Sequence, residues 1–218
     1  MVQPSAAIVG RETEMTVVGN FVAEVDGPSA SMVIDGVVGI GKTMLWNHGI
    51  GLAVDRGIAV RACRCTEADA AWAFSGLGDL FDGLPSAVLE RLPDVQRSAL
   101  AAALLISRPS PNVPTDRLVG VAVLSVLRLL ADDVPQLLAI DDVQWLDSAS
   151  RVVLTFALRR LSDEPIHVLA TQRTSASEAD GPDHSCLGLA GTAVHVGAVS
   201  AAALQQIVNG NTSFTISR

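Results

Sequence analysis

The chain has 218 residues, of which 49% are apolar and 17% charged, with a formal net charge of −8 and a pI near 4.8. That length suits one sizeable α/β domain or two small ones, and the apolar content is enough for a large core. The acidic balance speaks against nucleic-acid binding by this chain alone, because such binding rests on neutralising phosphates with Lys and Arg.

The low share of charged residues points to a face covered by a further domain or a partner. No stretch reads as a membrane span: the longest candidate, residues 118–127, is ten residues held between two arginines, too short to cross a bilayer. The N-terminus has neither a basic start nor a long apolar run, so no secretory signal is evident. Cys63, Cys65 and Cys186 suit a reducing cytosol, and the expected location is cytoplasmic. Cys63 and Cys65 alternate on an expected strand, where they read as small strand residues rather than zinc ligands.

In chain order, Val9-Gly10-Arg11-Glu12 opens the ordered part. Apolar residues at 15, 18, 21, 22 and 25 then give a helical spacing, which Asp26-Gly27-Pro28 stops. Residues 31–35 form a buried strand. Residues 36–43, GVVGIGKT, follow and fit the phosphate-loop pattern of glycine, four residues, glycine, lysine and serine or threonine. The pattern requires a preceding strand and a following helix, and residues 43–56 supply the helix. Gly36, Gly39 and Gly41 permit positive backbone dihedrals, so that loop N–H groups can converge on phosphate oxygens at a helix N-terminus. Lys42 is the only lysine in the chain. Gly49 and Gly51 lie inside the helix at about 1 kcal/mol each relative to alanine. Either close packing or a weakened copy of the motif explains them.

Residues 58–64 read as a second strand. The next seventy or so residues are mostly helical, with an aromatic stretch at 72–81, a helix at 96–106, a proline-punctuated loop at 108–114 and a helix at 115–131. In the aromatic stretch, Trp72, Phe74, Leu77, Leu80 and Phe81 read as core or domain interface. A continuous apolar strand at 136–140 ends in Asp141-Asp142. Asp147-Ser148 starts a helix at 149–161, and a strand at 166–171 leaves Arg173 just beyond its end. Residues 174–185 read as a polar loop, 193–197 as a fifth strand, 201–208 as a short helix and 209–218 as a loose tail. The expected organisation is therefore one domain over 1–208 with a tail.

Strands alternating with helices imply a parallel sheet covered on both faces, whose ligands bind beyond the carboxyl ends of the strands. The phosphate loop, the acid pair and Arg173 all follow strand ends, so they fall on one rim. The chemistry is that of a magnesium–nucleotide site. Lys42 reaches the β- and γ-phosphates. Thr43 offers a hydroxyl and Asp141 a carboxylate, through water, to the metal. Asp142 orients or polarises an attacking water. Arg173 is either a cation placed on the γ-phosphate or a surface arginine. Trp145 is either packing or part of the wall.

Residues 9–12, 36–43, 137–147 (LLAIDDVQWLD) and 171–173 together resemble the ATPase module of large LuxR-type transcriptional regulators. These are signal-transduction ATPases with numerous domains, relatives of AAA+ proteins. The resemblance runs over about residues 8–208. It implies a P-loop NTPase fold, a three-layer α/β/α with a five-stranded, mainly parallel sheet in the order 5-1-4-3-2 and a helical insertion between strands 2 and 3. It implies ATP or ADP with Mg2+ as cofactors. Val9, Gly10 and Arg11 would lie beside the adenine. Gly36, Val37, Val38, Gly39, Ile40, Gly41, Lys42, Thr43 and Met44 would hold the phosphates. Thr43 and Asp141 would serve the metal, and Lys42, Asp142 and Arg173 the chemistry.

Such regulators continue with a helical and winged-helix lid, a sensing repeat region and a DNA-binding helix-turn-helix, none of which reads in these residues. The expectation is thus a magnesium-dependent ATP-binding domain, slowly hydrolytic at best, without direct DNA contact. Its partners would be the nucleotide and either further copies or full-length relatives. The rival readings are a small-molecule phosphotransferase, a non-catalytic interaction module and a degenerate fragment.

Overall fold

A computed structural model describes residues 10–105, 116–173 and 186–198. Five strands, β1 (Ala30–Gly36), β2 (Ala59–Arg64), β3 (Gln136–Asp141), β4 (Ile166–Arg173) and β5 (Gly191–His195), form one sheet in the order β2-β3-β4-β1-β5. Every adjacent pair is parallel. This is the expected order, read from the other edge. The middles of the three inner strands are apolar because both faces are covered, and every residue of β3 is buried.

One face carries α1 (Glu12–Ala23) and α2 (Lys42–Asp55). Val18, Phe21, Val22, Leu45 and Trp46 pack there against Ile34, Leu137 and Leu169. The other face carries the larger core, built on α3 (Ser75–Leu80), α4 (Ser86–Glu90), α5 (Asp94–Ala103), α6 (Asp116–Ala131) and α7 (Ser148–Leu158). The first four of these helices are the expected insertion between β2 and β3. Leu77, Leu80 and Phe81 join that core as anticipated, whereas Trp72 stands 72% exposed. No helix among the described residues is long and apolar enough to cross a membrane.

Asp147 fastens the insertion to α7. Its buried carboxylate caps the helix by accepting the Ser150 N–H. It also accepts the N–H groups of Phe74 at 2.9 Å and Gly76 at 3.0 Å. Burial pushes its pKa up, but the hydrogen bonds from Ser150, Gly76 and Phe74 outweigh this and leave it below the usual aspartate value. They also hold Phe74 in a left-handed conformation, φ 64°, that an aromatic residue seldom adopts unaided.

Element ends shift by a few residues from the sequence expectation. β4 continues through Arg173, because Arg173 still pairs in register with Gly36 of β1. β5 starts at Gly191 rather than Ala193, because Gly191 and Thr192 already pair with Ser31 and Met32. Val9, the loop at 108–114, the segment 174–185, the helix at 201–208 and the tail at 209–218 lie outside the described residues.

The two helical glycines of α2 separate cleanly. A methyl group at Gly49 would sit 2.6 Å from Leu169 Cδ2 and 3.0 Å from Val18 Cγ1, whereas one at Gly51 would meet nothing within 4 Å. Close packing of α2 between α1 and the sheet is therefore the reason for the first, and only the second carries an unrecovered propensity cost. Gly49→Ala should destabilise the domain by about 1–3 kcal/mol through overpacking. Gly51→Ala should stabilise it by about 0.5–1 kcal/mol. Urea unfolding of the two variants beside the parent checks both signs.

Candidate functional site

The parallel register builds the rim. Gly36 at the end of β1 lies beside Arg173 at the end of β4, and Asp141 closes β3. At Gly36 the chain must turn sharply, with φ 152°, and a Cβ there would approach the Val196 carbonyl oxygen to 2.8 Å. Gly41 caps α2 with φ 108°, so the loop passes directly into the first turn of the helix, whose leading N–H groups have no intrahelical partner. These are the orphan donors of a helix start, and they favour an anion.

Lys42 is 7% exposed and crosses the base of the loop. Its Nζ donates to the carbonyl oxygens of Gly36 at 2.9 Å and Val37 at 3.0 Å. Burial lowers its pKa, although the charges of Asp142, Asp141 and Asp35 oppose the shift. Arg11 is buried too. Its guanidinium donates to Glu14 at 2.9 Å and to the Ile40 carbonyl at 3.1 Å, so it ties α1 to the phosphate loop. Beside it, the Gly10 N–H is taken by Glu12.

The Asp141 carboxylate is buried and doubly engaged. Thr43 Oγ1 donates to it, 3.2 and 3.1 Å from the two oxygens. Thr171 Oγ1 donates to Oδ1 at 2.6 Å from the neighbouring strand. The same Thr171 oxygen accepts the Asp142 N–H at 2.7 Å. A hydroxyl and a carboxylate converging beside a phosphate loop are the oxygen donors that magnesium takes from protein. The residues present fit that ion.

Asp142 takes a left-handed conformation, φ 54° and ψ 53°. This turns its carboxylate toward Arg173, which grips it with Nε at 3.2 Å and Nη2 at 3.0 Å. Gln144 braces both partners: its amide donates to Asp142 Oδ1 at 3.0 Å, and its carbonyl oxygen accepts the Arg173 N–H at 3.2 Å. Burial alone would raise the Asp142 pKa. The hydrogen bonds from Arg173 and Gln144 and the charges of Arg173 and Lys42 reverse that and bring it below the ordinary range.

Val38, Gly39, Gly41, Lys42, Thr43, Met44, Asp142 and Arg173 line a cleft of about 400 Å³. A larger cleft, about 760 Å³, lies along α7 between Arg151 and Arg160 and shares no residue with it. The smaller one is the candidate site, because only there do a phosphate loop, a cation and an acid converge. Sequence reasoning placed Thr171 and Gln144 within the runs that carry the resemblance but gave neither a role in the site. A further signal was their spacing, each two residues from a residue already singled out. Trp145 packs partly buried against the helical-layer core and does not line the cleft.

Residues 7–170 match the family described as the AAA ATPase domain. The chain belongs to this family. Among solved structures, this AAA ATPase domain resembles the Orc1 protein of Aeropyrum pernix, determined in complex with DNA. The two share 14% identity and a TM-score of 0.54, over 95% of this chain and 50% of that one. It also resembles a chain of the HORMA:CdnC:Trip13 complex of E. coli MS115-1, at 12% identity and a TM-score of 0.53, over 96% of this chain and 70% of that one. These likenesses show a common fold, and the chain spans about half the length of the Orc1 protein. No curated protein matches the sequence.

The fork between Arg173 and Asp142 makes a pH prediction. A carboxyl titrating below its unfolded value of about 3.9 contributes stability that is fully present above that pH and is lost as pH falls through the folded value. Both side chains are partly solvated, so the contribution is small. Arg173→Ala should move the Asp142 titration upward, read by carbon NMR of the aspartate side chains, while Asp147, held by other donors, should not move.

Proposed function

We propose that this AAA ATPase domain binds ATP or ADP with magnesium in the 400 Å³ cleft, hydrolyses ATP slowly at best, and stems from a LuxR-type transcriptional regulator of the signal-transduction ATPase class. One observation carries the nucleotide reading. The loop holding the only lysine, the paired Thr43 and Asp141, and the joined Asp142 and Arg173 meet on a single rim. The regulator ancestry rests on the run LLAIDDVQWLD and on Thr171-Gln-Arg173. The Orc1 relative was solved with DNA; the net charge of −8 argues that this chain does not contact DNA itself.

In this reading Lys42 leaves the Gly36 and Val37 carbonyls for phosphate oxygens. Thr43 and Asp141 hold magnesium, which when bound offsets phosphate charge. Arg173 turns to the γ-phosphate and so uncovers Asp142, which orients water. The proposal of slow turnover rests on this exchange: the Arg173–Asp142 fork must break before Asp142 is free to orient water.

Calorimetry with ATP and ADP in magnesium, together with phosphate release in the absence of any acceptor, tests the reading. Lys42→Ala should weaken nucleotide binding at least tenfold, as loss of a charge-assisted phosphate contact implies. Asp142→Asn should leave binding within a few-fold and cut turnover by about 10²-fold or more. No binding by the unaltered chain at millimolar nucleotide would refute the proposal. A rate indifferent to both substitutions would refute its hydrolytic part.

A further inference from the structure

Cys63 and Cys65 take no part in the cleft chemistry. One lies near the end of β2 and the other just past it, and both are buried in the core of the helical layer. Two residues apart on an extended chain, they face the same way, and their sulfur atoms lie 3.8 Å apart, one thiol donating to the other. Both are free thiols, as is Cys186, which is buried without a sulfur partner. The backbone fixes the pair before any ligand arrives: Cys63 pairs in register with Ile140 of β3, and the Cys65 N–H donates to the Asp141 carbonyl oxygen at 3.0 Å. We propose that Cys63 and Cys65 form a dithiol site for a monosubstituted trivalent arsenical, R–As=O, whose arsenic bridges the two sulfurs. The inference does not rest on the nucleotide reading.

A bridging atom suits this pair better than a direct bond. A disulfide needs its sulfurs to close to about 2.05 Å and its Cα atoms to stand within about 6.8 Å. Two steps along an extended strand already cover about 6.6 Å, at the edge of that range. Disulfide formation also starts from a thiolate, and the hydrogen bond with Cys65, together with burial, pushes the Cys63 pKa up. Zinc takes four ligands, and among the described residues no cluster of three or more His, Cys, Asp or Glu is placed to hold a metal ion. An R–As=O group needs two sulfurs only. Two As–S bonds form, the arsenic–oxygen bond breaks, and the oxygen leaves as water with the two thiol protons; arsenic stays trivalent. The product carries no charge, so the apolar core that holds Leu77, Phe81 and Val143 accepts it where it would penalise a thiolate. Because both sulfurs belong to one strand, the second As–S bond closes intramolecularly.

Titration of the full chain with phenylarsine oxide makes the test. The expected result is one adduct per chain by intact mass, with two of the three thiols lost and Cys186 still titratable after denaturation. The dithiol 2,3-dimercaptopropanol should remove the adduct, whereas glutathione, a monothiol, should not. Cys63→Ala and Cys65→Ala should each weaken binding by about 10²-fold or more, because a single As–S bond closes no ring, and Cys186→Ala should bind as the parent does. A ligand that binds the native state raises the thermal midpoint, so the unaltered chain should melt higher with the arsenical than without it. The thiol count, the glutathione challenge and the midpoint all use the unaltered chain, so they decide the matter even where a cysteine variant fails to fold. No adduct on the folded chain, an adduct that glutathione removes, or a midpoint that falls because only the unfolded chain reacts would overturn the inference.

Discussion

The rim depends on one buried carboxylate. Asp141 closes the fully buried strand β3, where an unpaired charge would cost several kcal/mol. It is tolerated because two hydroxyls, from Thr43 and Thr171, meet it there. Those two residues belong to the helix after β1 and to the strand beside it. The acid's need for partners therefore ties three successive pieces of the sheet together at their carboxyl ends. The phosphate loop is held between this cluster and the Arg11 guanidinium, which reaches the Ile40 carbonyl from α1. Cleft and core are in this sense one structure: the contacts that satisfy Asp141 also align the groups around the cleft.

Much of this was legible in the sequence because the signals were local. The apolar runs before Gly36 and Asp141 could only be buried parallel strands once helices alternated with them. A strand followed by GVVGIGKT fixes where the anion-facing helix begins. The sheet order came from family resemblance and agrees with the strand pairing. Gly49 shows the limit of local reading. Its cost in a helix is visible in the sequence, but its reason is the side chain of Leu169, 120 residues away. Trp72 shows the same limit in reverse: its apolar neighbourhood left core and domain interface equally open, and only the structure puts it on the surface, after the short turn at Asp69–Ala71.

What escaped the sequence is pairwise and non-local. Thr171 and Gln144 are ordinary strand-end and turn residues until the register of β4 against β1 brings Arg173 beside Gly36 and the Asp142 turn beside both. Arg11 was expected beside the adenine. In the structure its guanidinium donates to Glu14 and to the phosphate loop's own backbone. Nothing in VGRE shows that its arginine braces the loop, because that contact depends on the Ile40 carbonyl, 29 residues away.

The joined Asp142 and Arg173 carry the furthest consequence. A left-handed aspartate costs about 1 kcal/mol or more, and such strain persists only where neighbours over-determine it. Here they do: Thr171 takes its N–H, while Gln144 and Arg173 take its carboxylate. The strained turn is therefore held in part by a cation that also lines the cleft and that a phosphate would attract. An anion entering the cleft competes with Asp142 for Arg173, and each gain for the ligand loosens the turn. Under the proposed nucleotide reading, filling the cleft and freeing Asp142 are thus coupled through Arg173.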